Sequence, residues 1–488
     1  MPTYPNNAIQ DSTIETHAKA LRDTLSSTTR VYHPDSTEFK TLSARWSALA
    51  GPKVNVVVVP STEDDVAKIV QYARTTGLPI LAFNGVHAAI TTLGRMQGGI
   101  EIYMGQLSNV KIAQDNKTVT IGGGTLTKAV TDTLWNVGKQ TVTGTCESVS
   151  VLGPALGGGH GWLQGHYGLI ADQFISMNIV LADGTLHTID ASSDLWWAMK
   201  GAGQNFGIVT SLTSKIYDIE QYDWAIETLI FDGDKVEALY QAVNDYLSPV
   251  PAHLINWSYW LNIPNIDPNK PIVMLYIIQE GATAVSPTYT KPFHDIGPLS
   301  IDAESGDYRD LARWTQVALD SPPSQKTGLA NPRFPAYIKE YNVAAQKLAY
   351  DAFAAEVSGN SPFAKSIFMF ESYPVQGVQA IESDSTAFAF RDDNILTAPL
   401  IAYMPSSDEL DRQAAELGNK LREIIRRGSG SEELHAYVNY AFGDESPQNW
   451  YGYEQWRQDR LMALKKKYDP DCRFNFFAPI KHDTYREE

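Results

Sequence analysis

Residues 143–172 read TGTCESVSVLGPALGGGHGWLQGHYGLIAD. A single cysteine, Cys146, stands just upstream of Gly153, Gly157, Gly158, Gly159 and Gly161. No ordinary strand or helix tolerates glycine at that density. Such a backbone reaches positive φ and brings its N–H groups close to a ligand, at an entropic cost that packing alone seldom justifies. The expected ligand is flat and phosphorylated.

Upstream, Val54 to Val59 is a β-branched run broken only by Asn55. Ser61-Thr62-Glu63-Asp64 then opens a helix in which Val66, Ile69, Val70 and Ala73 repeat at helical spacing, and Gly77 and Pro79 stop it. A strand over Leu78 to Phe83 delivers Asn84, Gly85, Val86 and His87 at its carboxyl end, where α/β units present ligand contacts. A second such unit comprises a strand at Val119 to Ile121, the turn Gly122-Gly123-Gly124, a helix over Leu126 to Val137 and a strand at Thr141 to Thr143. It ends at Cys146.

Downstream come a strand at Phe174 to Leu181, the Asp183-Gly184 hairpin turn, a strand at Leu186 to Ile189 and a helix through Asp194 to Met199. The glycines of residues 201–207 imitate a dinucleotide fingerprint, but their spacing is wrong and a helix precedes them, which excludes a Rossmann fold. From about Tyr217 the texture changes to long alternating strands at Trp224 to Phe231, His253 to Leu261 and Ile272 to Gln279. Residues 298–335 read as surface loop with short helices. Strands are expected at Ile367 to Glu371, Ala387 to Arg391 and Leu396 to Tyr403, and an amphipathic helix at Asp408 to Arg427. A final helix from about Glu454 ends on Lys465-Lys466-Lys467, read as a solvated face.

The pattern Gly144-x-Cys146-x-x-Val149, then Gly157-Gly158-Gly159-x-Gly161, then Tyr167-Gly168-Leu169-x-x-Asp172 resembles the FAD-linked oxidases typified by berberine bridge enzyme, in the vanillyl-alcohol oxidase superfamily. Tyr437-Val438-Asn439-Tyr440 resembles that family's Tyr-x-Asn-Tyr motif, and Tyr468-Asp469-Pro470 its usual close. The resemblance runs from roughly Trp46 to Ile480, clear around both flavin segments and thin between them. It implies an α+β chain: a two-lobed PCMH-type FAD-binding domain built of two α/β subdomains, and a substrate domain whose antiparallel sheet is flanked by helices. The expected boundaries are a lead-in over 1–40, the FAD-binding domain over 41–216, the substrate domain over 217–430, and a return to the flavin lobe over 431–488.

By the same resemblance FAD is held bicovalently, through sulfur at Cys146 and through imidazole at His87. Asn84, Gly85, Val86, Gly144, Val149, Gly153, the four glycines from Gly157 to Gly161, Tyr167, Gly207, Ile208 and Val209 are carried over as cofactor contacts. The usual Arg-x-Gly-Gly-His appears here as Phe83-Asn84-Gly85-Val86-His87, so a possible phosphate-binding arginine is missing. Val149 takes the position that admits or blocks oxygen, and valine resembles the oxidase form. Tyr437, Asn439 and Tyr440 are placed on a strand, the first two projecting together and opposite Tyr440. The substrate-lobe strand at 396–403 lacks the carboxylate or amide that many relatives carry, which leaves Glu371 as one candidate base.

Composition narrows the class. With 488 residues, 43% of them hydrophobic, the chain has material for more than one domain. A net charge of −17 argues against nucleic acid and anionic membranes, which require clustered Lys and Arg. Two cysteines give no disulfide framework, no stretch reaches a membrane span, and no basic-then-apolar leader opens the chain, so an intracellular, cytoplasmic protein is expected. His160 and His166 lack metal-site spacing and read as solvated or hydrogen-bonded; no metal is expected. Asp172 is expected to accept backbone N–H bonds. The expected reaction is removal of hydride from an alcohol or amine carbon of an apolar or aromatic specialised metabolite, with O2 reduced to H2O2. The alternatives are a non-redox cyclisation of such a metabolite and carbohydrate oxidation.

Overall fold

The computed structural model describes residues 6–85 and 87–481. The first expected unit forms around a four-stranded sheet in the order Arg30–Tyr32, Lys53–Val59, Gln97–Tyr103, Ile80–Phe83. Its last three strands run parallel, and the helix Glu63–Thr76 crosses over between the second and the fourth. That helix starts where Thr62 and Asp65 cap each other's backbone, and ends at Gly77 in the left-handed region with φ 74°. Its apolar stripe of Val66, Ile69, Val70 and Ala73 is buried against Val56, Val58, Ile100 and Ile102 of the sheet. The sequence spacing gave this unit directly.

The second unit is an antiparallel five-stranded sheet in the order Val110–Ile112, Thr118–Gly122, Ile208–Lys215, Phe174–Val180, Leu186–Asp190. The expected strand at residues 141–143 is shorter and earlier. Only Lys139–Gln140 pair, with Tyr217–Asp218, and Thr141 then fixes the extended run to Cys146 by donating to the Lys215 carbonyl at 2.7 Å.

A seven-stranded antiparallel sheet carries the rest, in the order Ser300–Gly306, Trp224–Phe231, Ile272–Glu280, Leu254–Leu261, Ile367–Ser372, Ile395–Leu400, Ala336–Ile338. Alternation decides its two faces. Leu229, Trp260, Phe368 and Phe370 pack with the helices Val236–Tyr246, Val343–Val357 and Asp408–Gly428. Ile255, Trp257 and Tyr276 pack the opposite way, onto Trp162 and Leu163 of the glycine-rich stretch. Glu371 shares the register of that second face, since Phe370 is committed to the helices.

Three expectations fail here. Residues 298–335 are not mere surface loop: Ser300–Gly306 is the sheet's edge strand, the Pro323 carbonyl meets His87, and Ala330 to Phe334 are buried. The expected strand at 387–391 is irregular, because its backbone bonds go to Trp197 and Lys200 rather than to a ladder, and Arg391 is drawn into a buried bidentate pair with Asp172 at 2.9 and 3.0 Å. Asp172 also accepts the Leu169 N–H at 2.9 Å, as expected.

The third concerns Lys465, which is fully buried rather than solvated. Its ammonium donates to Asp469 at 2.7 Å and to the carbonyls of Asn205 and Phe474, pinning the C-terminal helix Gln455–Tyr468 to the flavin lobe. Replacing Lys465 by alanine strands a buried carboxylate and two carbonyls, so the variant should lose about 3–5 kcal/mol of stability. A chemical denaturation midpoint close to the wild type would show that the lysine carries no such weight.

Candidate active site

Two loops converge where the two smaller sheets meet. Gly85, at φ 71°, lies so close to the second loop that a Cβ there would come within 2.9 Å of the Ser148 carbonyl oxygen. Asn84 donates to the Gly124 carbonyl at 2.7 Å, tying the same loop to the second sheet. Val86 lies outside the described residues. These contacts bring His87 and Cys146 onto one elongated cleft, together with Asn84, Gly144, Val149, Gly153, Gly207, Ile208 and Val209. The cleft encloses about 1670 Å³ of space between protein atoms, its open mouth included.

The His87 side chain is held in one tautomer. Its Nε2 lies 2.9 Å from the Pro323 carbonyl oxygen, which can only accept, so Nε2 carries the proton and Nδ1 keeps its lone pair. Burial, and then the nearby Arg333 cation, push its pKa down to about 4, so the ring is neutral at physiological pH. The ring rests on Trp46, centroids 4.6 Å apart. Cys146 is half-buried, and burial followed by the Glu371 carboxylate pushes its thiol up to about 12. It is a neutral thiol facing the cleft.

The same cleft is also lined by Tyr437, Asn439, Tyr440, Glu371, Tyr373, His160 and Arg333, with Arg333 beside His87. The Tyr-x-Asn-Tyr segment is a 3-10 turn over Val438–Tyr440 rather than a strand, so Tyr440 turns to the same side as Tyr437, their rings 5.2 Å apart. Tyr440 donates to Glu371, its hydroxyl lying 3.2 and 3.3 Å from the two carboxylate oxygens. Tyr373 donates to the same carboxylate at 3.4 Å. The Tyr437 oxygen accepts from Asn439 at 2.8 Å and from the His160 backbone at 3.3 Å, which leaves its own proton to be donated. Burial raises the Glu371 pKa to about 7, despite the bond from Tyr440 and the Arg333 charge. A carboxylate poised there can exchange protons at neutral pH.

Arg333 went unread in the sequence, and His160 was read there only as a solvated or hydrogen-bonded histidine. Arg333 donates to the His87 carbonyl and lies 4.1 Å from the Tyr440 ring centroid. It follows a proline in a segment that reads as surface, and carries no motif. His160 is hydrogen-bonded, as expected, yet it also lines the cleft: Nδ1 meets Gln164 at 2.8 Å, Nε2 meets the Tyr337 hydroxyl at 2.6 Å, and the ring stacks on Tyr373. Its position inside the glycine run was the available signal.

Not every expected contact reaches the cleft. Gly85, Gly157, Gly158, Gly159 and Gly161 stand behind its wall, where their missing side chains let backbone pack on backbone or on side chains. Tyr167 turns away altogether and stacks on Tyr217, centroids 3.8 Å apart, because its short helix Gln164–Tyr167 points it toward the Tyr217–Asp218 strand. It lines a separate polar hollow with His166 and Glu280.

The residues present fit FAD. A Cβ on Gly144 would meet nothing nearer than Thr127 Oγ1 at 3.7 Å, so the cleft is open there to a flat ring. The buried Gln204 Oε1, on the cleft wall, has no hydrogen-bond partner among the described residues. A neutral imidazole nitrogen and a thiol face the same space, as a doubly tethered ring requires.

Comparison with known proteins agrees. The family pattern "FAD binding domain" matches residues 54–190, and "Berberine and berberine like" matches 436–481. The chain is 57% identical over 465 residues to "FAD-linked oxidoreductase chyH" of Penicillium rubens, covering 95% of this chain and 93% of that one. It is 54% identical to "FAD-linked oxidoreductase chry5" of Gibberella zeae, over 95% and 94% of the two chains. The chain belongs to the berberine bridge enzyme-like FAD-linked oxidoreductases. The enzyme shares its fold with a Physcomitrella patens BBE-like 1 structure at TM-score 0.81 and 22% identity, covering 96% of this chain and 99% of that one. A xylooligosaccharide oxidase from Myceliophthora thermophila C1 superposes at TM-score 0.81 and 19% identity, over 97% and 100%. The PCMH-type α+β architecture expected above is thus the observed one. Among the described residues no helix is long and apolar enough to cross a membrane, and no His, Cys, Asp and Glu cluster is suited to a metal.

Proposed function

We propose that this FAD-linked oxidoreductase is an oxidase that removes two hydrogens from an alcohol or amine carbon of a small specialised metabolite and delivers them to O2 as H2O2. The reading rests chiefly on one observation: Glu371 and Tyr440 form a hydrogen-bonded pair in the same cleft that His87 and Cys146 face. When bound, FAD supplies the hydride acceptor and the route to oxygen. The protein's part is the proton. Tyr440 takes it from the substrate O–H or N–H and passes its own to Glu371, while the Arg333 guanidinium over the ring offsets the negative charge that develops on the phenol. Tyr437, with a proton left to donate, and Asn439 orient the substrate heteroatom.

The free lone pair on His87 Nδ1 and the exposure of Cys146 to the cleft support tethering at both residues. A glucooligosaccharide oxidase described with 6-S-cysteinyl, 8α-N1-histidyl FAD shares the fold at TM-score 0.79 and 18% identity. Val149 on the cleft wall supports O2 as acceptor. The substrate end is walled by tyrosines with one carboxylate and one guanidinium, which suits an apolar or aromatic compound better than a free sugar. The lobes are assigned as residues 41–216 with 431–488 around the cofactor and 217–430 over the substrate.

Anaerobic mixing with a candidate metabolite should bleach the yellow flavin band, air should restore it, and one H2O2 should appear per product lighter by two hydrogens. A product of unchanged formula would assign the chain to cyclisation instead.

A further inference from the structure

We infer that Arg45 binds the cofactor's diphosphate, taking over from the arginine that the attachment motif lacks. The inference rests on the FAD reading above. Phe83 stands at that motif position, and the Arg45 guanidinium lies 3.9 Å from the Phe83 ring centroid. Arg45 follows the Thr37–Ser43 helix.

The bonding of Arg45 is incomplete. Its side chain is 8% exposed and lines the cleft, and one terminal nitrogen pairs with Glu101 of the adjoining strand Gln97–Tyr103. Its Nε and Nη1 are buried and have no partner among the described residues. A buried guanidinium with two idle donors is costly, and a ligand carrying several phosphate oxygens can satisfy both. Lys326, with its ammonium 5.1 Å from the same ring, makes no ion pair among the described residues. Two cations against one carboxylate leave a local positive charge in a chain of net charge −17. That charge lies at Phe83, the end of the strand that leads into Asn84, and Arg45 carries it to the cleft wall. Glu101 then serves to aim the guanidinium, and the Phe83 ring forms the apolar platform beneath it.

The test uses the full chain with His87 and Cys146 replaced by alanine, so that flavin exchanges freely, and compares FAD with riboflavin, which has the ring but no phosphate. Replacing Arg45 by alanine in that background should weaken FAD about 10-fold or more, as the loss of a charge-assisted contact implies, and change riboflavin less than about 2-fold. Adding Phe83→Arg should restore FAD affinity. Arg45→Ala with Glu101→Gln removes both charges, so no carboxylate is stranded; it should show the same selective loss and guards against a variant that fails to fold. Equal weakening of both ligands, or unchanged FAD affinity in a folded variant, would overturn the inference. Parent protein that takes up neither ligand would overturn the flavin reading itself and this inference with it.

Discussion

Replacing Glu371 by glutamine should lower turnover by about 100- to 10,000-fold, the range lost when a positioned proton acceptor is removed. Glutamine keeps the shape and can still hydrogen-bond to Tyr440, but it cannot take a proton. The flavin spectrum and the fold should therefore survive. Tyr440→Phe should fall by a comparable factor, and the double variant should be little worse than either single one, because two members of one relay do not act independently. The pH profile gives the sharper signature. Glu371 titrates at about 7, and only its ionised form accepts a proton, so wild-type kcat/KM should rise with pH through about 7 and then level off. The glutamine variant should lose that inflection. Stability runs the other way. The folded pKa lies above the ordinary 4.5, so the contribution of Glu371 to stability is fully present below about 4.5 and is lost as the pH rises through about 7. Above that pH the glutamine variant should melt higher than the wild type. A variant with wild-type turnover, or with the inflection intact, would remove Glu371 from the mechanism.

Replacing Gly161 by alanine should abolish soluble expression. A Cβ at that position would lie 2.0 Å from the Thr143 carbonyl oxygen and 3.0 Å from a Val142 methyl. The oxygen is backbone, on the very run that leads to Cys146, and cannot step aside without moving the attachment loop. Overpacking of this kind ordinarily costs about 1–3 kcal/mol, and more where a main-chain atom must shift. Gly157→Ala should be milder and more instructive: its Cβ would meet Asn439 Oδ1 at 2.4 Å, and Asn439 holds the Tyr437 hydroxyl. Folded protein with impaired turnover is expected there. Soluble, fully active Gly161→Ala would show that the crowding is not real.

These glycines mark how far the sequence could be read. Their density correctly singled out the organising stretch, yet a glycine that admits a ligand and one that admits a neighbouring carbonyl look alike in one dimension. Only Gly144 and Gly153 of the stretch line the cleft. His87 and the Asn84 loop were legible because they follow the strand Ile80–Phe83, whose period is local, whereas Cys146 was legible by its motif alone, the expected strand at 141–143 being absent. The Tyr-x-Asn-Tyr motif was legible as a motif but not as a 3-10 turn, since three residues carry no period, and the error put Tyr440 on the wrong side. Arg45, Arg333 and the buried Lys465 were illegible for a common reason. Each is a charged residue held in part by a partner tens to hundreds of positions away: Glu101 for Arg45, His87 for Arg333, and for Lys465 the Asn205 carbonyl beside its local partners Asp469 and Phe474. Local composition can only assign such residues to the surface.

The central claim is that His87 and Cys146 together hold one flavin against the Glu371–Tyr440 pair. Intact mass of the denatured wild-type protein, followed by peptide mapping, tests it most directly. The account requires one FAD mass on the chain, found linking the two peptides that contain His87 and Cys146, and single tethering in His87→Ala and in Cys146→Ala. An unmodified polypeptide mass from yellow protein, or a flavin attached at any other residue, would contradict it.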